Sequence, residues 1–392
     1  MIKSRKIYLD YASGAKANPA SLHSTGVEAR IKLQKARSEV ANILSARPEE
    51  IIFTSGATES NNLAILGMIH LTPSPLSLLR RGVGERSLPH IVTTNIEHAS
   101  VLEVCKHLEK TKQAEVTYVE VEGNGIVDPK KIKQALRPNT ALVSVMYANN
   151  EIGTIQPIRE IAKEIRHYRK GKKNPFLPIF HTDATQAINY LPINVAALGI
   201  DLMSFNSAKI YGPGGVGALY VKKNTPLSPI MFGGNQEMGL RPGTENVASI
   251  LEFAKALEAT QKTKEKEAKR LSKLRDYFLK ELQIMSRGIL DIEVNGDWEH
   301  RLPNNVNVSF PNIPSELLVI ELSAKGIMTS AKSACKAGDG KVSHVIKAIN
   351  GNIKEENGSL RFSLGQETTK ADIDYTIQAL SKILLKLKKW YN

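Results

Sequence analysis

Ser204-Phe205-Asn206-Ser207-Ala208-Lys209-Ile210-Tyr211-Gly212-Pro213-Gly214-Gly215-Val216-Gly217-Ala218-Leu219-Tyr220-Val221 places a lysine between two short apolar runs. The runs read as strands, and the glycine-rich turn lets the backbone reverse closely. A lysine backed by strands in such a loop can be desolvated and its pKa lowered, which is what an amine needs to form a Schiff base near neutrality. Taken alone, the blander reading is a surface lysine in a hairpin. Other polar stretches of the chain decide between the two.

The chain has 392 residues, enough for about two or three domains and a large core. Its hydrophobic content of 42% and charged content of 23% are those of an ordinary soluble globular protein. No apolar run approaches the roughly 18 residues that span a bilayer. The basic start, Met1 to Lys6, meets Asp10 too soon for a signal peptide, so the expected location is the cytoplasm. The net charge of +14 invites a nucleic-acid partner. Its lysines are spread over helix faces and the carboxyl end, with no nucleic-acid-binding motif, and read as solvated surface. The two cysteines, Cys105 and Cys335, have neither a disulfide framework nor metal-site spacing, and no metal is expected. Cys105 lies at helical spacing among apolar residues and reads as core filler.

In chain order, Ile7-Tyr8-Leu9-Asp10 reads as a short strand, and Ser24 to Leu44 as a helix. Ile51-Ile52-Phe53-Thr54-Ser55-Gly56-Ala57-Thr58-Glu59-Ser60-Asn61-Asn62 is a strand that turns at glycine into a helix. The unpaired N–H groups of that helix start, Ala57 and Thr58, can hold a phosphate. His98 opens another helix after the strand His90–Thr94, and imidazole suits proton transfer near neutrality. Residues 71–89 and 169–178 lack periodicity and read as surface insertions.

The buried-strand run Ala141–Met146 delivers Asn149 and Asn150 to its carboxyl end, where open α/β sheets bind ligands. The strand after Leu177 ends at Asp183, with Gln186 three residues on. Phe232 to Asn246 is a glycine-rich loop whose plain reading is flexible surface. A long charged helix follows from Val247 to about Met285, then an alternating strand over Asn304–Phe310. Cys335 sits among small, polar and basic residues (Ser330-Ala331-Lys332-Ser333-Ala334-Cys335-Lys336-Ala337-Gly338), a setting that favours a reactive thiolate. Ser359-Leu360-Arg361-Phe362 is a strand whose arginine has the planar fork for a carboxylate.

In this order and over nearly the whole chain, these segments resemble the cysteine desulfurases, pyridoxal-phosphate enzymes of the class V aminotransferase family. The resemblance implies the α/β fold of type I pyridoxal-phosphate transferases: a large domain with a mostly parallel seven-stranded sheet, and a small α+β domain. The expected division is 14–255 for the large domain, with 1–13 and 256–392 forming the small one. Lys209 would be the cofactor lysine, with Ala57, Thr58 and Ser207 on the phosphate, and Thr244 reaching the phosphate of the other subunit of a homodimer. His98 would stack on the ring and shuttle protons. Asp183 would hold the ring nitrogen protonated, Gln186 and Asn150 would meet the ring oxygen, and Asn149 is a second possibility for the latter. Asn150 and Arg361 would hold the substrate, L-cysteine, and Cys335 would take its sulfur as a persulfide.

The implied sulfur acceptor is an iron–sulfur scaffold protein, with a tRNA-thiolation enzyme as an alternative. Two departures from the family pattern stand out. Asn18-Pro19-Ala20-Ser21-Leu22-His23 follows the opening almost at once, where the family usually has a helix between, and Ala208 replaces a histidine that often precedes the lysine. A selenocysteine lyase or another pyridoxal-phosphate enzyme would use the same ring contacts without a nucleophilic thiol. A non-catalytic binding platform would not take the cofactor at all.

Overall fold

The computed structural model describes residues 7–14, 17–71, 88–170, 176–287, 292–331, 343–351 and 358–391. Seven short strands form the larger sheet: β1 (Ile51–Thr54), β2 (His90–Thr94), β3 (Glu115–Val119), β4 (Thr140–Ser144), β5 (Ile179–Asp183), β6 (Leu202–Asn206) and β7 (Gly217–Val221). Their order is β1-β7-β6-β5-β4-β2-β3. β3, β2, β4, β5 and β6 run parallel, and only β7 runs against its neighbours, β1 and β6.

Alternation of side chains along each strand sends residues to two cores. Ile51 and Phe53 enter one core with Val143, Phe180 and Phe205, while Ile52 joins Leu142, Ile179 and Leu202 in the other. Helices α1 (Ser24–Leu44), α2 (Ala57–Leu71), α3 (Ala99–Lys110), α4 (Pro129–Ala135), α5 (Ile158–Arg169), α6 (Val195–Leu198) and α7 (Val247–Ser286) cover these faces. Leu63 and Met68 of α2 and Val101 and Leu108 of α3 close one side. Leu33 and Val40 of α1, Ile161 of α5 and Phe253 and Leu257 of α7 close the other. Each fully buried Phe or Ile contributes on the order of 1.5–3 kcal/mol.

A second, antiparallel sheet has the order β10-β9-β8, from β8 (Glu293–Val294), β9 (Asn305–Phe310) and β10 (Gly358–Ser363). It packs with α8 (Ser315–Ser323) and, after α9 (His344–Ile349), with α10 (Lys370–Tyr391). Helix α7 has 40 residues, so it is about 60 Å long. Its first half lies in the larger sheet's core, and Leu271, Phe278 and Leu282 of its second half lie in the smaller one. Among the described residues no helix is long and apolar enough to cross a membrane.

Three expectations need correction. The opening strand does not form: residues 7–10 have no regular structure, Ile7 and Leu9 are exposed, and Tyr11–Ser13 makes one 3-10 turn. A strand needs an edge to pair with, and Asp10 instead binds Ser13, Ser21 and His23, tying the segment to the start of α1. The alternating strand forms as β9, and all its residues are buried, with Asn305, Asn307 and Ser309 finding polar partners inside. The loop at 232–246 is not plain surface, because Glu237 is buried against Arg37. Arg169 is not part of an insertion: it ends α5 and pairs with buried Asp201. Most of the two expected insertions, residues 72–87 and 171–175, lies outside the described residues.

Candidate active site

The carboxyl ends of β4, β5 and β6 meet the start of α2, the start of α3 and strand β10 around a cavity of about 260 Å³. Ala57, Thr58, His98, Asn150, Asp183, Gln186, Lys209 and Arg361 all line it. A wider, shallower cleft of about 710 Å³ lies between α7 and the start of α10, lined by Lys266, Lys269 and Lys273. Its lining holds no carboxylate, whereas the smaller cavity brings an amine, a carboxylate and an imidazole together.

Asp183 ends β5 and is 6% exposed. Its Oδ2 accepts from Asn61 Nδ2 at 2.8 Å and its Oδ1 from the Thr185 N–H at 2.9 Å. Asn61 also donates to Ser100 Oγ at 2.8 Å. Ser100 Oγ lies 2.8 Å from His98 Nδ1, which also accepts the Ser100 N–H as the cap of α3. A ring nitrogen that accepts the capping N–H cannot carry the proton, so the neutral ring carries it on Nε2. A hydrogen-bonded chain thus runs from Asp183 through Asn61 and Ser100 to His98. Beneath it, His181 is bound by Ser144 Oγ and Ser204 Oγ, and burial pushes it down to about 4.

Lys209 stands on a single 3-10 turn, Ala208–Ile210, after β6. Its N–H reaches Asn206 Oδ1 at 3.3 Å, and its carbonyl accepts from Asn189 Nδ2. The desolvation expected of this lysine is not found: its side chain is exposed on the cavity wall. The start of β7 lies close to the turn that precedes α2, since a Cβ on Gly217 would come within 2.7 Å of Gly56 Cα. Only glycine permits that approach.

Of the two asparagines, Asn149 is spent on structure. It is buried, donates to the Ile96 carbonyl, and accepts the N–H groups of Glu151 and Ile152. Asn150 is the one at the cavity. Arg361 Nη1 donates to the Asn150 carbonyl at 2.9 Å, while its buried Nε has no partner among the described residues. Burial lowers the pKa of Arg361, and the charge of Glu151 partly offsets that.

Ser207 and Thr244 are not among the residues lining the cavity. Ser207 is buried beneath the lysine turn with its Oγ unpartnered among the described residues, and Thr244 is exposed. Cys335 lies outside the described residues.

Residues 3–376 match the family described as aminotransferase class-V. The chain belongs to that family. A cysteine desulfurase IscS from Dictyoglomus turgidum is 42% identical to it, over 98% of this chain and 96% of that relative. Among solved structures, a NifS-like protein has a TM-score of 0.81 at 35% identity, covering 94% of this chain and 91% of that one. SspA in complex with cysteine has a TM-score of 0.69 at 32% identity, covering 90% and 92%. Like these relatives, this class-V aminotransferase is a pyridoxal-phosphate enzyme. Sequence reasoning missed Asn61, Ser100, Met146, Ala148, Thr185 and Asn206. Asn61 alone left a signal, as a polar residue on the apolar side of α2 beside Leu63 and Ala64.

Proposed function

We propose that this chain is a cysteine desulfurase that moves the sulfur of L-cysteine onto Cys335 and releases L-alanine. The observation that carries this reading is the single cavity shared by an amine, a buried carboxylate, an imidazole, an amide and a half-satisfied arginine. Its donor set suits pyridoxal phosphate. The first N–H groups of α2, at Ala57 and Thr58, have no intrahelical acceptor and would hold the phosphate. Ser207, and Thr244 from the second subunit of a homodimer, would complete that grip. Asp183 would sit at the ring nitrogen, Gln186 and Asn150 at the ring oxygen, and His98 on the ring face. Bound there, the cofactor supplies an electron sink for the α-carbon of the amino acid.

The chain's own groups do the rest. Arg361 offers its unpartnered Nε edge to the substrate carboxylate. Lys209 Nζ takes and returns the α proton, and His98 Nε2 moves protons on the other side. The Cys335 thiolate attacks the substrate sulfur: an S–S bond forms, and the C–S bond breaks with its electron pair left on carbon, which takes a proton. One thiol and L-cysteine become one persulfide and L-alanine, with no outside oxidant.

The flanks of the segment that holds Cys335 support this role. Four residues before it, the Ala331 carbonyl accepts from Ser359 Oγ of β10 at 3.2 Å. Beyond it, Ser343 binds Glu151, next to Asn150. The sulfur would pass to an iron–sulfur scaffold in the cytoplasm, with a tRNA-thiolation enzyme as a second acceptor. The proposed domains are 14–255, and 1–13 with 256–392. The test is L-cysteine turnover by the cofactor-loaded protein with a reductant present. Equal release of alanine and sulfide is expected; a loaded protein that makes no alanine contradicts the reading.

A further inference from the structure

Arg361 has an acidic neighbour that the mechanism above leaves unused, and the following rests on the desulfurase reading. Glu151 is 3% exposed and follows Asn150 directly. Its main-chain carbonyl accepts from Asn305 Nδ2 at 2.9 Å and Asn307 Nδ2 at 3.0 Å. Asn307 is the register partner of Arg361 across β9 and β10, and Arg361 itself binds the Asn150 carbonyl. One turn therefore fixes the acid and the arginine close together. Even so, their interaction among the described residues is through space, without a direct ion pair.

Ser343 accounts for the separation. It caps α9, accepting from the N–H groups of Val345 at 3.1 Å and Ile346 at 3.4 Å. A serine has one hydroxyl proton, and here it goes to Glu151 Oε2. Val345 and Ile346 anchor α9 in the larger core, so Ser343 cannot follow the carboxylate if it swings.

A negative charge held near a buried cation, but not against it, weakens the field that the cation offers a ligand. Substrate and product carry the same carboxylate. An undiluted Arg361 would hold L-alanine as firmly as it captures L-cysteine, and uniform tight binding does not speed turnover. We infer that Glu151, held off Arg361 by Ser343, is a positioning residue that sets carboxylate affinity low enough for the product amino acid to leave.

The test is the dissociation constant of L-alanine for the cofactor-loaded protein, measured by titration calorimetry. Glu151→Gln keeps an acceptor for Ser343 and removes the charge, so alanine should bind about tenfold more tightly. Ser343→Ala frees the carboxylate to close on Arg361 and compete with the ligand, so binding should weaken about tenfold. Ser343→Thr keeps the hydroxyl and should restore wild-type affinity. A merely structural role would weaken binding in both Glu151→Gln and Ser343→Ala, so the opposite signs are the signature. If Ser343→Ala melts below the assay temperature, Glu151→Gln and Ser343→Thr decide. Glu151→Gln binding alanine no more tightly than wild type overturns the inference alone. A cofactor-loaded wild type that makes no alanine from L-cysteine overturns the desulfurase reading and this inference with it.

Discussion

Arg37 and Arg361 are both largely out of water, and the fold treats them in opposite ways. Arg37, 3% exposed on α1, gives Nη1 and Nη2 to the two oxygens of Glu237 at 2.7 and 2.6 Å, and another bond to the Ile51 carbonyl at 2.5 Å. Glu237 also accepts the Phe53 N–H at 2.8 Å, so the pair locks α1, β1 and the loop at 232–246 together. Both leave Nε without a partner among the described residues, but Arg361 meets no carboxylate there and spends only Nη1, on a carbonyl. Burial alone does not mark a functional cation; a fork left without a carboxylate does. Glu97 shows a third solution. It is fully buried with no cation beside it among the described residues, bound by Thr94 Oγ1 and the Met146 N–H, and burial pushes it up to about 8. It therefore stays protonated near neutrality.

The strongest way to break this contrast is Glu237→Ala. It strands Arg37 in the core and should cost about 3–5 kcal/mol in urea unfolding. A loss under about 1 kcal/mol would mean that the pair is no anchor. Arg361→Ala should do the reverse. Its kcat/KM for L-cysteine should fall roughly hundredfold or more, while unfolding changes by about 1 kcal/mol or less. A large stability loss there would make Arg361 a second Arg37.

Glu97→Gln sharpens the comparison through pH. The ordinary value of Glu97 is 4.5 and its folded value about 8, so the native state keeps a proton that the unfolded chain releases. Stability from this group is full below pH 4.5 and falls as pH rises toward 8. His90 and His181 act the other way: burial holds each at about 4, below the ordinary 6.5, so their contribution is lost as pH drops below 6.5. Between pH 6.5 and 8 only Glu97 of these three contributes a slope. Glu97→Gln should flatten it, by on the order of 1 kcal/mol per pH unit. An unchanged profile in urea midpoints would show that Glu97 is charged.

The smallest effect is expected at Cys105, whose thiol burial pushes up to about 12. Cys105→Ala should change kcat/KM by less than about twofold, since a buried thiol away from the cavity contributes packing alone. A tenfold loss would make Cys105 part of the sulfur path.

The parts of the site that were legible in the sequence are those that a local pattern forces. Gly56 before Ala57, the turn around Lys209 and the strand ends at Asp183 and Asn150 all follow from short-range backbone rules. Each reached the cavity. The illegible parts are long-range. Asn61 meets Asp183 across 122 positions of sequence, and Ser343 meets Glu151 across 192. Neither pairing has a period or a spacing to betray it. The same reason hid Glu237, since its partner Arg37 lies 200 positions away. Strand β9 shows the same limit: its alternation was legible, but not that its polar face packs on the 149–154 turn.

The central claim is that this cavity delivers sulfur to Cys335, and peptide masses after one exposure to L-cysteine without reductant test it directly. The account predicts one added sulfur atom on the peptide with Cys335, none on the peptide with Cys105, and an equal amount of L-alanine. Cys335→Ala should yield no alanine under the same conditions. A normal alanine yield from Cys335→Ala, with no sulfur retained on the wild-type protein, would contradict it.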